Sequence, residues 1–175
     1  PHPHNLDGWC VKDPHSMSRI WAITPTRCVP PTILNPSLSE ASTMISSRRM
    51  AAVDRNAAAL GVPLRLPLES SGNAVAARIR ELTQPGDSVA FVAGRWNNGG
   101  DAFAAARFLD DRGCTVQLLG RPETITTDIA RANWDALAAA ESETRVVADS
   151  REFALEQPDL VVDAMLGTGI TGALR

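Results

Sequence analysis

The chain lacks the surplus of basic side chains that nucleic-acid-binding proteins carry. Its 17 lysines and arginines are outnumbered by 20 acidic residues, and the net charge is −3, so no nucleic-acid partner is expected. No apolar run approaches the roughly 18 residues that a membrane helix needs, and no apolar stretch of signal-peptide length is seen near the N-terminus. We therefore expect neither a nucleic-acid nor a membrane partner.

Cysteine is also scarce. Cys10, Cys28 and Cys114 are odd in number and widely spaced, which does not indicate a disulfide framework, so a reducing, cytoplasmic location is expected. What the chain does have is 175 residues with a hydrophobic fraction of 44%. This is enough for one globular domain with its own core.

Residues 1–43 differ in composition from the rest of the chain. They hold seven of the twelve prolines, all three histidines and the only lysine, and no helix or strand periodicity persists across them. We predict a disordered or non-native leader over 1–43, with Met44 as the natural start, and one domain over 44–175. An alternative is a metal site in the leader, but the ligand spacings match no zinc pattern. Its ligands would be His2, His4, Cys10, His15 and Cys28.

From Met44 the pattern becomes regular, and two helices are predicted first. One has Ser42 or Thr43 as its N-cap and stops at Gly61; the other is opened by Pro67. Their apolar faces are formed by Met50, Val53, Ala57 and Leu60 in the first helix, and by Leu68, Gly72, Val75, Ile79 and Leu82 in the second.

Strands and helices then alternate. The apolar run Ser88–Ala93 shows no in–out alternation, which predicts a strand buried on both faces of a parallel sheet. Helices are predicted over 99–112, ended by Gly113, and over about 127–140. Further strands are predicted over 115–119, 145–148 and 160–164. This order is typical of a doubly wound α/β sheet.

A glycine-rich loop, Gly-Arg-Trp-Asn-Asn-Gly-Gly-Asp at 94–101, follows the first of these strands. Ligands of open parallel sheets bind beyond the carboxyl ends of the strands, and a helix N-terminus there can bind an anion. Asn97 and Asn98 add amide donors and acceptors. The alternative is a plain turn, with Asp101 capping the helix. The loop is neither a Walker A motif nor the dinucleotide glycine fingerprint.

A second glycine-rich loop spans 161–172 and follows the last predicted strand. The strand carries Asp163 at its carboxyl end, and the turn Gly167-Thr168-Gly169 comes next. If both strands are parallel, the two loops open on one cleft. A carboxylate among apolar residues is costly unless it is paired or hydrated, so Asp163 is a candidate functional residue. The alternative is that Asp163 caps the backbone of the turn.

Together these motifs resemble the NAD(P)HX epimerase family, the YjeF N-terminal type. The resemblance is carried by the Asn-Asn-Gly-Gly-Asp loop at 97–101, by Asp163 and by the Gly-Thr-Gly turn at 167–169. It covers about residues 44–175. Further matching positions are Met50, Val53, Asp54, Glu69 and Gly72.

The resemblance implies a Rossmann-like three-layer sandwich with a mainly parallel sheet. It implies interconversion of the R and S forms of NADHX and NADPHX, the dinucleotides hydrated at C6 of the nicotinamide ring. It also implies a potassium ion held in part by Asn98 and Asp163, and a fused or separate dehydratase. Separately from the resemblance, a homodimer is a further hypothesis, with the N-terminal helices as candidates for its interface. The implied substrate-binding residues are Asn97, Asn98, Gly99, Gly100, Asp101, Gly167, Thr168, Gly169, Ile170, Thr171, Gly172 and Ala173.

The implied chemistry needs a proton carrier near the ring. Loss of the C6 hydroxyl leaves an iminium cation that is planar at C6, so water can return on either face. A carboxylate beside the ring can carry the proton and favour the positive charge. We take Asp163 as the catalytic residue on this hypothesis.

The chain also departs from the family pattern. Trp96 and Ala102 stand where the family usually has glycine, and a positive φ at Trp96 would cost about 1 kcal/mol or more. The indole can stack on the nicotinamide or the adenine ring, or it can block the pocket. The family continues past Arg175 with a strand and an Asp-x-Pro-Ser-Gly loop, so we predict a domain truncated at its C-terminus, with weak or no activity and an unpaired strand edge.

Two other classes of protein remain. One is a non-catalytic binding or scaffold domain of the same fold, which Trp96 favours and the intact loop residues disfavour. The other is a generic nucleotide-binding Rossmann protein such as a dehydrogenase, and the missing Gly-x-Gly-x-x-Gly pattern argues against it.

Overall fold

The computed structural model describes residues 21–23 and 46–167. The strands are β1 Trp21–Ile23, β2 Ser88–Ala93, β3 Gly113–Leu119, β4 Glu143–Val147 and β5 Leu160–Ala164. The helices are α1 Ser47–Ala59, α2 Arg65–Leu82, α3 Asn97–Arg107 and α4 Asp128–Ala139, and two short 3₁₀ turns span Pro122–Thr124 and Ser150–Glu152.

The strands form one sheet in the order β1-β5-β2-β3-β4. β5, β2, β3 and β4 are parallel, and only β1 runs antiparallel, beside β5. β2 is therefore paired on both sides, and five of its six residues are buried. These features confirm the predicted Rossmann-like α/β fold with a mainly parallel sheet.

The core lies between one face of this sheet and three helices. α3 packs on β2, β3 and β5 and is flanked by α2 and α4. Phe91 and Leu118 of the sheet meet Phe103 of α3 in this core, and the Phe103 ring packs edge-on against Trp134 at 5.2 Å. The opposite face is covered, among the described residues, by the coil after β4, where Gln117 donates to the carbonyl of Ala154.

The first predicted helix is confirmed, but its cap is not the predicted one. Ser46 is the N-cap of α1, and its hydroxyl accepts a hydrogen bond from the Arg49 N–H. The predicted caps Ser42 and Thr43 lie outside the described residues. Gly61 follows the helix with φ +81°, a conformation that favours glycine, so the predicted stop is confirmed.

The second helix begins before the predicted residue. α2 starts at Arg65, because Pro67 sits in the first turn, where its missing N–H would have no helical partner in any case. Leu82, placed on the apolar face by the pattern, is 41% exposed, and Val75 is only partly buried. The fully buried positions are Leu68, Gly72, Ala76 and Ile79.

The third helix is shifted relative to the prediction of 99–112. α3 already begins at Asn97 and ends at Arg107, and Gly113 opens β3 instead of ending the helix. Arg112 reaches Thr83 after α2, with its Nε donating to the hydroxyl and its Nη2 to the carbonyl. This anchoring draws the chain out of the helix. β4 begins two residues before its predicted start, whereas α4 and β5 agree with the prediction.

Strand β1 falls within the segment predicted to be a disordered leader. Trp21 pairs with Asp163 and Ile23 with Val161, so these three residues correct that part of the prediction, and they pair with one edge of β5. The other residues of 1–43, including the potential zinc ligands, lie outside the described residues. Within 21–23 and 46–167 no helix is long and apolar enough to cross a membrane.

Candidate functional site

Two loops meet at the carboxyl edge of neighbouring strands. β2 and β5 are adjacent and parallel, and the N–H of Gly94, just after β2, donates to the carbonyl of Ala164 at the end of β5 at 3.0 Å. The glycine loop after β2 and the turn after β5 therefore lie side by side, as the parallel strand order predicts.

Glycine is required in this region because there is no room for a Cβ, and not because the backbone has a positive φ. A Cβ on Gly94 would lie 1.9 Å from the Met165 carbonyl oxygen, and one on Gly99 would lie 2.1 Å from the carbonyl oxygen of Gly94. Neither glycine has a positive φ. The two segments are thus in direct backbone contact, which only residues without a side chain permit.

The two asparagines belong to the first turn of α3, which corrects their prediction as loop residues. Asn97 accepts a hydrogen bond from the Thr127 hydroxyl at 2.7 Å, and that hydroxyl also caps α4 by accepting from the Ala130 N–H. Asn98 donates from Nδ2 to the Leu166 carbonyl at 3.3 Å. Asn97 thus joins α3 to α4, whereas Asn98 joins it to the turn after β5.

Asp101 is the fifth residue of α3, so the alternative that it caps the helix is wrong. Trp96 holds the N-cap position. Burial raises the pKa of the Asp101 carboxyl from its ordinary value of 3.8 to about 7, because desolvation disfavours the charged form. The group therefore exchanges a proton near neutral pH.

Asp163 stands at the end of β5, next to the last residue of the strand. Its Oδ1 accepts a hydrogen bond from the Met165 N–H at 2.9 Å, so the alternative of a turn cap is realised for one oxygen. The other oxygen has no hydrogen-bond partner among the described residues.

Trp96 adopts an unstrained backbone. Its φ of −112° and ψ of −173° are extended, so the expected cost of a positive φ does not arise. The indole is 41% exposed, and the Arg95 guanidinium lies 5.0 Å from the ring centroid. Ala102, the other departure, is fully buried within α3.

The second loop is described only as far as Gly167. A Cβ on Gly167 would be 3.5 Å from the Asn98 Cβ, so this glycine reaches the first loop as predicted. The remaining predicted residues lie outside the described part of the chain; they are Thr168, Gly169, Ile170, Thr171, Gly172 and Ala173. The sequence offered no signal for the contact of Thr127 or of the Leu166 carbonyl with the asparagines.

The donor chemistry at this edge fits the potassium ion that the resemblance implies. Among the described residues the Asn98 Oδ1 has no hydrogen-bond partner, and the Asp163 Oδ1 accepts only the Met165 N–H, so both oxygens keep lone pairs for a cation. Oxygen atoms of this kind are the ligands that hard cations prefer. Within the described ranges no cluster of three or more His, Cys, Asp or Glu side chains could hold a metal.

A mainly parallel sheet that carries two adjacent loops at the carboxyl ends of neighbouring strands has the architecture of a Rossmann-like α/β domain. Residues 67–175 match the family model described as YjeF-related protein N-terminus. That match covers more than half of the chain, so the chain belongs to the YjeF-related N-terminal family.

Named relatives agree with this assignment. The chain is 40% identical over 133 residues to the NAD(P)H-hydrate epimerase of Cenarchaeum symbiosum, covering 75% of this chain and 62% of that protein. It is 43% identical over 133 residues to the bifunctional NAD(P)H-hydrate repair enzyme Nnr of Methanothermobacter thermautotrophicus, covering 72% of this chain and 25% of that protein. The chain therefore spans less than two thirds of the length of either relative.

A solved structure supports the fold. The crystal structure of yeast ynu0, YNL200c, is similar with a TM-score of 0.62 at 23% sequence identity, and the match covers 75% of this chain and 60% of that one. At this level of identity the likeness concerns the architecture alone.

Proposed function

We propose that this domain interconverts the R and S forms of hydrated NAD(P)H. The proposal is carried by one observation: Asp163 and Asn98 are joined through the turn after β5 at the carboxyl edge of a YjeF-type sheet. The names of the two relatives support it, because they describe NAD(P)H-hydrate epimerase and NAD(P)H-hydrate repair.

The chemistry requires a group that can give and take a proton beside C6 of the nicotinamide ring. When the protonated C6 hydroxyl leaves as water, the ring nitrogen supplies electrons and C6 becomes planar. Water then adds to either face and loses its proton, which inverts the centre in half of the events. The free oxygen of Asp163 is suited to carry this proton, and its negative charge favours the iminium cation.

The other polar groups are assigned to binding. We place the substrate along the first turn of α3, where Gly99 and Gly100 lie at the positive end of the helix dipole. Asn97 and Asp101 line the same end, with Asn97 held by Thr127. A bound potassium ion would supply positive charge near Asn98 and Asp163. A dehydratase partner, a homodimer and a cytoplasmic location remain predictions.

The direct test is the reaction itself. The full-length protein that carries this chain is incubated with purified (R)-NADPHX and potassium, and a dehydratase consumes the S form as it appears. Acceleration over the spontaneous epimerisation rate is the expected result. A folded protein that gives no acceleration contradicts the proposal and favours the non-catalytic binding domain, for which replacement of Trp96 by glycine is the next variant.

Asp163→Asn tests the assigned proton carrier. We expect turnover to fall by about 10²- to 10⁴-fold, the usual contribution of a positioned acid–base group, while the fold is retained. Asp135→Asn is the matched control, because Asp135 is exposed on α4. Equal activity of the two variants would remove Asp163 from the mechanism.

A further inference from the structure

Trp96 is a large, exposed aromatic residue in the loop between β2 and α3, next to the candidate site. It occupies the N-cap of α3 yet makes no side-chain capping hydrogen bond, so its indole contributes nothing to the helix end. Trp134 shows the contrast, since it is 7% exposed and packed in the core. An indole that is 41% exposed beside a ligand loop offers a flat apolar surface for another ring.

Arg95 supplies a positive charge on the same surface. Its guanidinium lies 5.0 Å from the Trp96 ring centroid, and it forms no ion pair with a carboxylate among the described residues. Its backbone is fixed, because the Arg95 carbonyl accepts from both the N–H and the hydroxyl of Thr126, at 2.8 and 3.0 Å. A planar cation stacked on an aromatic ring and not otherwise engaged can pair with a phosphate.

The direction of the Arg95 side chain shows which end of a ligand this surface meets. A Cβ on Gly120 would lie 3.0 Å from the Arg95 Cδ, so the side chain extends over the residue that follows β3. Asp163 is on β5, on the other side of β2. Neighbouring strands are about 4.8 Å apart, so β3 and β5 are separated by roughly 10 Å across the carboxyl edge.

We propose that Arg95 and Trp96 bind the adenosine end of the dinucleotide, with the indole stacked on the adenine and the guanidinium paired with a phosphate. The assignment rests on the proposed function, which puts the nicotinamide ring at Asp163 and hence the far end of the substrate near β3. A residue at the N-cap of α3 thereby determines affinity for the dinucleotide without touching the reacting carbon.

Binding of ADP-ribose, which lacks the nicotinamide, tests this assignment apart from the epimerase reaction. Titration calorimetry on Trp96→Ala is expected to show about 5- to 150-fold weaker binding, the range for loss of one base–aromatic stack, and Trp96→Phe should restore most of it. Arg95→Gln should weaken binding more at low salt than at high salt. Arg48→Ala, which removes the same charge from exposed α1, is the control and should bind normally.

Kinetics separate the two ends of the substrate. In Trp96→Ala, KM for NADPHX should rise with kcat little changed, whereas hydrated reduced nicotinamide mononucleotide, which has no adenosine, should react as in the wild type. If both substrates are impaired alike, the indole contacts the nicotinamide and the proposal is wrong. ADP-ribose that binds the wild type, Trp96→Ala and Trp96→Phe equally also overturns it. If no epimerase activity exists but ADP-ribose binding follows Trp96, the proposed function fails while the adenosine site stands.

Discussion

Replacement of Asp101 by asparagine should make the stability of the domain less sensitive to a rise from acidic to neutral pH. Burial raises the pKa of Asp101 from 3.8 to about 7 in the folded protein. Between these two values the folded state holds a proton that the unfolded chain has already released. Stability therefore falls as pH rises through this window, because the unfolded state binds fewer protons than the folded state. Asparagine mimics the neutral acid and has no charge to desolvate.

The size of the effect follows from the shift. A rise from pH 5 to pH 8 covers about two pH units of the range between the two pKa values. The free energy of unfolding should therefore fall by at most about 3 kcal/mol. Asp101 is not fully buried, and solvent screening reduces this to about 1–2 kcal/mol. In a domain of this size, 1 kcal/mol changes Tm by about 2–4 °C. The wild-type Tm should therefore fall by about 2–8 °C more than that of Asp101→Asn between pH 5 and pH 8.

The assay is thermal unfolding followed by circular dichroism at closely spaced pH values. Asp135→Asn, on the exposed face of α4, should follow the wild-type curve. The other ionisable groups are shared by the wild type and Asp101→Asn, so their contributions cancel in the comparison. Parallel curves for the wild type and Asp101→Asn would refute the argument that burial holds a proton on Asp101.

Two further substitutions test packing. Gly94→Ala places a Cβ 1.9 Å from the Met165 carbonyl oxygen and should lower the free energy of unfolding by about 1–3 kcal/mol. In the control Gly113→Ala the new Cβ meets nothing nearer than 3.9 Å, so the free energy of unfolding should change by less than about 0.5 kcal/mol. Equal midpoints of the two variants in urea unfolding would contradict the close contact. Arg107→Ala removes the guanidinium that bonds Asn133 of α4 and Glu69 of α2 and should lower the free energy of unfolding by about 2–3 kcal/mol. Arg78→Ala breaks an exposed ion pair and should lower it by less than about 0.5 kcal/mol. Similar losses in both arginine variants would show that the buried bonds add nothing.

The central strands could be predicted from sequence because their signal is local. Ser88–Ala93 and Leu160–Ala164 are short apolar runs bounded by turn residues, and both agree with the structure. α3 was predicted two residues too short at its start because asparagine favours loops in general. Its early end depends on Arg112 reaching Thr83 after α2, and no local pattern encodes that contact.

The sequence predicted where the site lies, but not the contacts that hold its residues in place. Parallel strands place Asn98 and Asp163 at one edge, and the structure joins them through a single turn. No strain arises at Trp96, because the φ at that residue is extended. Gly94 meets a steric limit that appears only when the second loop is in place. The pairing of β1 with β5 joins residues far apart in sequence, and a three-residue strand carries too little pattern to be recognised.

The contact of Gly94 with the Met165 carbonyl joins two segments that are distant in sequence into one rigid unit. A chimaera that takes the loop after β2 from one parent and the turn after β5 from another must reproduce a backbone fit with no room for a side chain. Crossovers between residues 100 and 160 should therefore fail more often than crossovers before residue 88. Any transplantation of this site into another sheet has to move both segments together, with the spacing of their two strands unchanged.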